Sequence, residues 1–168
     1  LVCGLQHTGY RVVNALLALR QPVVALDFAP GVLAEQLRER DVSVIYGDFR
    51  QHTVLEQAGV REATALIACG ENDMVNFEAL LRARELASDL RVVMRIFEES
   101  LGEQLQRAFA IDAVYSTSAI AAPEFVAEAL NMHIVQPVTA SGAQFDAPQS
   151  IAQLTVEANS RLDGAAIA

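Results

Sequence analysis

Short apolar runs rich in β-branched residues alternate with longer stretches whose apolar positions recur at helical spacing, and the alternation repeats along most of the chain. Residues 1–5 predict a first strand that starts with no lead-in, so the chain reads as cut from a longer polypeptide. Over 8–20, Val12, Val13, Leu16, Leu17 and Leu19 share a helical face. Residues 22–26 (PVVAL) are uninterruptedly apolar, the character of a strand covered on both faces of a parallel sheet. The same reading gives helix 30–40, strand 42–46, helix 53–58, strand 63–69, helix 72–87, strand 90–96, helix 100–108 and strand 112–115. Strands and helices in strict alternation, joined by connections of about 2–6 residues, specify an α/β fold. The expected architecture is a Rossmann-like, doubly wound parallel six-stranded sheet.

Beyond Tyr115 the rhythm changes. Residues 117–130 predict a helix rich in small residues (Ala119, Ala121, Ala122, Ala127, Ala129), suited either to close packing on a neighbouring helix or to its own sheet. Residues 139–150 (TASGAQFDAPQS) have the composition of a linker, and 151–157 alternate as a new strand. The expected domains are therefore 1–138, a linker at 139–150, and the truncated beginning of a small C-terminal lobe at 151–168.

A chain of 168 residues accommodates one α/β domain, or one domain and the beginning of a second. At 52% hydrophobic and 20% charged it is an ordinary globular sequence. With 12 basic against 21 acidic residues the net charge is -9, so no basic footprint exists for nucleic acid or anionic lipid. All the basic residues are Arg, which excludes Schiff-base chemistry, the phosphate-loop lysine and any lysine base. Cys3 and Cys69 lie inside apolar runs, as buried thiols of a cytosolic protein do, and no disulfide is expected between them. No apolar run approaches the roughly 18 residues of a membrane span, and the chain is read as soluble and cytoplasmic.

The first strand–helix junction reads Gly4-Leu5-Gln6-His7-Thr8-Gly9. Gly4 permits a tight turn, Gly9 lets helix and strand approach, and the amides at the helix start, around His7 and Thr8, face an anion. Gln6 stands where a dinucleotide fingerprint has its middle glycine, so its side chain hydrogen-bonds a phosphate, shifts the ligand outward or blocks it. Asp27, followed by Phe28, ends the second strand about 20 residues later, where a carboxylate accepts from ribose hydroxyls and repels a 2′-phosphate. Gly47-Asp48-Phe49 closes the third strand where an adenine would lie, and Gly70-Glu71-Asn72-Asp73 opens a helix after the fourth. Taken singly, Asp27 and Asp48 also read as turn and cap residues, but the three junctions together favour nucleotide binding; Asn72 and Asp73 read equally as caps. Arg95, near the end of the fifth strand, and Arg50 are the cations placed to approach this edge. Glu98 and Glu99 read as first-turn glutamates favouring the helix dipole, ahead of oxygen ligands for a divalent ion. His7, His52 and His133 are too dispersed for a zinc site.

The order and spacing of Gly4-x-x-x-x-Gly9, Val23-Val24-Ala25-Leu26-Asp27, Gly47-Asp48-Phe49, Leu55-Glu56-Gln57-Ala58-Gly59-Val60 and Ala65-Leu66-Ile67…Asn72-Asp73…Asn76 resemble the RCK/KTN (TrkA-N) domain from Leu1 to about Val138. The segment from Ile151 to Gly164 is similar to the opening of the C-terminal RCK lobe. The resemblance implies a non-enzymatic cytoplasmic regulatory domain of a potassium channel or potassium uptake system, at the inner face of the membrane through a pore subunit. It implies a homodimer or larger ring, gated by NAD(H) or by ATP, ADP or AMP. The implied ligand contacts are Gly4, Gln6, His7, Thr8, Gly9, Asp27, Phe28, Asp48, Phe49, Gly70 and Arg95. That family's loop typically reads Gly-x-Gly-x-x-Gly, often with Arg at the position of His7, so Gln6 and His7 are departures. The competing readings are an NAD-dependent oxidoreductase, for which no proton donor or substrate domain is visible, and a methyltransferase, whose Asn/Asp-Pro-Pro motif is missing after the fourth strand. A structural oligomerisation module with a vestigial nucleotide site is the third.

Overall fold

The computed structural model describes residues 1–130 and the backbone at 133–134 and 152–153. The chain divides into two compact units, Leu1–Ser118 and Ala119–Ala168. The first unit runs β1 (Val2–Cys3), α1 (His7–Ala18), β2 (Val24–Asp27), α2 (Val32–Arg38), β3 (Ser43–Tyr46), α3 (His52–Gln57), β4 (Ala65–Ala68), α4 (Asp73–Leu86), β5 (Arg91–Ile96), α5 (Glu99–Phe109) and β6 (Ala113–Ser116). All six strands are parallel, in the order β3-β2-β1-β4-β5-β6. The α/β expectation of a doubly wound six-stranded sheet is met.

Burial follows the sequence pattern. On one face Val2, Leu5, Val13, Ala25, Ala34, Leu37 and Val42 close a core beneath α1 and α2. On the other, Leu26, Phe49, Leu55, Leu66, Leu80, Val92, Met94 and Ile96 form a larger core reached by α3, α4 and α5. Because the strands are apolar on both faces, the sheet must be covered on both sides to remove that area from water.

The order in which strands are added reverses between β1 and β4, which are parallel neighbours in space although two strands separate them in sequence. At that point α1 leaves on one face and α4 on the other, so a crevice opens above the carboxyl ends of the strands.

Element bounds shift by one or two residues from expectation, with readable causes. Strand β2 starts at Val24, since Pro22 has no amide for the ladder, and extends to Asp27, which pairs with Tyr46. Helix α2 starts at Val32 behind an extended Gly31 as N-cap. Helix α6 (Thr117–Ala129) follows β6 in the chain, begins at the end of the first unit and contains Pro123; in the second unit β7 (His133–Ile134) pairs antiparallel with β8 (Ala152–Gln153). Strand β8 falls within the strand expected at 151–157. The linker expected at 139–150 lies outside the described residues, as does the rest of 151–168.

Candidate functional site

Three glycines build the crevice. Gly4 follows β1 at φ +83°, a left-handed backbone that side chains resist, and its amide donates to the Leu26 carbonyl at 2.8 Å. A Cβ on Gly9 would lie 1.9 Å from the Gly4 carbonyl oxygen, so α1 sits directly on the turn. A Cβ on Gly4 would lie 2.6 Å from the Gly70 nitrogen, so the loops after β1 and β4 touch backbone to backbone. The closeness of three chain segments here is possible only without side chains.

Above that stack, α1 opens with Gln6 as N-cap in an extended conformation, and no side chain caps the helix. Tyr10 is the first helical amide to find a carbonyl, that of Gln6, at 2.9 Å. The amides of His7, Thr8 and Gly9 have no hydrogen-bond partner among the described residues, and no acidic residue occupies the first turn. Unpaired amides and the positive end of the helix dipole together favour an anion. Gln6 and His7 are exposed, and Thr8 is half-buried.

Asp27, at the end of β2, is half-buried, and its Oδ1 accepts from the Phe28 amide at 2.9 Å. Burial raises its pKa, while the amides of Phe28 and Leu5 oppose the rise. Contact with the Leu5 amide ties the carboxylate to the glycine turn, so two of the expected corners are one structural unit. Phe28 is 47% exposed beside it, and its ring lies 4.5 Å from that of Phe49 at 42°. Phe49 is wholly buried, so its side chain supports Phe28 from below and offers the crevice no face of its own.

Asp48 is engaged by its own neighbour. Arg50 Nε and amide donate to Asp48 Oδ1 at 2.9 and 3.0 Å, and Nη2 donates to Oδ2 at 2.8 Å. This fork holds the Asp48 carboxyl below its ordinary range. Through Nη1, Arg50 also reaches Glu78 on α4 at 3.2 Å. An open depression of about 310 Å³ beside it is lined by Arg50, Gln51, His52, Thr53 and Arg82, and there Glu85 accepts from both His52, at 2.8 Å, and Arg82. Its cations are matched by carboxylates.

The fourth corner is braced from inside. Asn76 is 0% exposed, and its Nδ2 donates to the Gly70 carbonyl at 2.8 Å and to the Arg95 carbonyl at 3.1 Å. Arg95 Nη1 donates to the same Gly70 carbonyl at 3.0 Å. Through Nη1, the cation expected at the ligand edge also braces the β4–α4 turn. Asn72 does cap α4, accepting from Val75 at 3.1 Å, whereas Asp73 accepts from the Phe97 amide and ties α4 to the end of β5. Neither the bracing by Asn76 nor the Arg50 fork was foreseen from the sequence. The signal available for Asn76 was a lone Asn on the otherwise apolar face shared by Phe77, Leu80 and Ala83.

A parallel sheet in the order 3-2-1-4-5-6, with a glycine turn and free helix-start amides after β1 and a carboxylate after β2, defines a Rossmann-type nucleotide-binding domain. The comparisons narrow that class. The TrkA-N domain family matches residues 1–117, and the chain belongs to it. Over 99 residues it is 28% identical to the voltage-gated potassium channel Kch of Escherichia coli (strain K12), covering 57% of this chain and 24% of Kch. Over 108 residues it is 30% identical to the glutathione-regulated potassium-efflux system protein KefC of Klebsiella pneumoniae subsp. pneumoniae, covering 64% of this chain and 17% of KefC. The chain therefore spans a quarter or less of these relatives.

Among solved structures, GsuK bound to ADP is 26% identical with a TM-score of 0.65, covering 75% of this chain and 32% of that one. The Shewanella denitrificans Kef C-terminal domain in AMP-bound form is 22% identical with a TM-score of 0.68, covering 77% and 78%. The GsuK channel bound to NAD is 20% identical with a TM-score of 0.60, covering 74% and 22%. The last two establish likeness of fold.

Proposed function

We propose that this chain is the ligand-sensing regulatory domain of a potassium channel or potassium transport system. It binds NAD(H) or an adenine nucleotide (AMP, ADP or ATP) above the glycine turn, and works by conformational change and not by turnover. The observation that carries this reading is the meeting of two groups at one crevice: unpaired amides of His7, Thr8 and Gly9 for a phosphate, and the half-buried Asp27 carboxylate for ribose hydroxyls. The ADP-bound GsuK neighbour and the potassium-transport relatives support it.

In this reading Gly4 and Gly9 shape the turn, and Gln6, His7 and Thr8 border the phosphate. Asp27 and Phe28 hold the ribose and the base, with Asp48 at the far side and Phe49 beneath. Gly70 and Arg95 form the opposite wall. The domain at 1–138 would sit in the cytoplasm under a membrane pore, as a homodimer or ring, with residues 139–150 linking to a C-terminal lobe at 151–168. A ligand gates such an assembly only through different affinities for its two states.

The test is direct binding of AMP, ADP, NAD+ and NADH by calorimetry to the chain and to Asp27→Ala. Removing hydrogen bonds to a charged acceptor should weaken binding by about 10- to 100-fold. Unchanged affinity in Asp27→Ala would put the ribose elsewhere. In the full-length protein the same substitution should abolish nucleotide dependence of potassium flux.

A further inference from the structure

The adenosine site proposed above leaves open whether its ligand is a mononucleotide or a dinucleotide, and the position of Gln6 separates the two. Strand β1 lies between β2, which ends at Asp27, and β4, whose following loop holds Gly70. A dinucleotide with its adenosine at Asp27 must send its pyrophosphate across the end of β1 to lay the second nucleoside over β4 and β5. A mononucleotide stops before that crossing. Gln6 occupies the crossing point, immediately ahead of the first amides of α1.

The backbone at Gln6 does not require glycine. Its φ is -60° and its ψ -176°, an ordinary extended conformation. A glycine there serves only to let a pyrophosphate approach the main chain. Here a Cβ and a carboxamide stand instead, exposed and without a hydrogen bond among the described residues. The carboxamide has a free NH2 donor beside the unpaired amides of His7, Thr8 and Gly9, where one phosphate would rest.

The far side of the crossing is equally unsuited to a second phosphate and nucleoside. The Gly70 carbonyl is taken by Asn76 and Arg95, Arg95 is turned to that carbonyl, and Glu71 is exposed next in the chain. No Lys or Arg lies between Gly4 and Gly9 to offset two phosphate charges. We propose that Gln6 makes this site selective for an adenine mononucleotide over NAD(H), by blocking the pyrophosphate path while adding a donor to a single phosphate. The inference rests on the adenosine reading of the site.

The experiment is calorimetric titration of the chain with AMP, NAD+ and NADH, repeated on Gln6→Gly and Gln6→Asn. AMP should bind the unaltered chain at least about tenfold more tightly than either dinucleotide. Gln6→Gly should tighten NAD+ and NADH by about tenfold and weaken AMP by about threefold or more through loss of the carboxamide donor, while Gln6→Asn should keep the original preference. Should Gln6→Gly fail to fold by circular dichroism, Gln6→Ser, which trims the obstruction, should shift the ratio in the same direction. Equal affinity for AMP and NAD+ in the unaltered chain, or an unshifted ratio in Gln6→Gly, would overturn the selectivity and leave the site standing. No binding of any of the three would overturn the site and the selectivity with it.

Discussion

Gly4 and Gly70 meet without room for a single carbon: a Cβ on Gly4 would fall 2.6 Å from the Gly70 nitrogen and 2.7 Å from its Cα. Both obstructing atoms are backbone, and Gly70 is pinned by Asn76 and Arg95, so neither loop can yield cheaply. Gly4→Ala combines this clash with a φ of +83°, which costs a side-chain residue about 1–2 kcal/mol before any contact is counted. The expected total is on the order of 3 kcal/mol, read as a fall in the urea midpoint. Gly31→Ala is the control. Its backbone is extended and nothing lies within 4 Å of an added Cβ, so it should cost less than about 1 kcal/mol. Equal losses in the two variants would contradict this packing.

Asn76 and Arg95 share one acceptor, the Gly70 carbonyl, and should therefore act as a coupled pair. Asn76→Leu removes the donor to two carbonyls and should cost about 2 kcal/mol. Arg95→Met leaves Gly70 with the Asn76 bond alone and should cost about 1 kcal/mol. Because each loss changes what the other donor holds, the double variant should depart from additivity by about 0.5 kcal/mol or more. A double-mutant cycle by chemical denaturation measures this, and strict additivity would show that the two side chains brace Gly70 independently.

Burial pushes the Cys3 thiol up to about 12 and the Cys69 thiol up to about 11, so neither holds appreciable thiolate at neutral pH. Both are free and buried, Cys69 directly under α1, where a Cβ on Gly9 would be 3.3 Å from its own. Alkylation by iodoacetamide at pH 8 should be slowed by orders of magnitude against the denatured chain, and should follow unfolding. Rapid labelling of either cysteine in the folded protein would show that the sheet centre opens locally.

The sheet was legible because its strands declare themselves: uninterrupted apolar runs such as Val23 to Leu26 need cover on both faces, and the alternating helices provide it. Gly4, Gly9 and Asp27 were legible because each answers a backbone or charge requirement that few other residues meet. Arg95 and Phe49 were less so. Strand position places a residue at an edge, but whether its side chain turns outward depends on partners far along the chain, here Gly70 for Arg95 and Phe28 for Phe49. The fork of Arg50 on Asp48 joins residues two apart, yet its second arm, on Glu78 of α4, exists only once β3 and α4 are packed.

The two carboxylates of the crevice should respond to pH in opposite senses. Arg50 lowers the pKa of Asp48 in the folded chain, so this contribution is present above the unfolded value, near 3.9, and is lost as pH falls through the folded one. Arg50→Ala removes it. That variant should be slightly less stable at pH 7, since the pair is partly exposed, and the difference should shrink as pH falls below the unfolded value. Asp27 has a raised pKa from burial, so its contribution is favourable below the unfolded value and is lost as pH rises through the folded one. Asp27→Asn should therefore gain stability over the unaltered chain as pH rises from about 4 to 7, while losing nucleotide affinity. Urea unfolding between pH 3 and 7 reads both effects. A flat difference for Arg50→Ala would mean that the Arg50 fork does not hold Asp48 in solution, and a loss of stability in Asp27→Asn at pH 7 would mean that the hydrogen bond from Phe28 and the nearby Leu5 amide outweigh the cost of burying the charge.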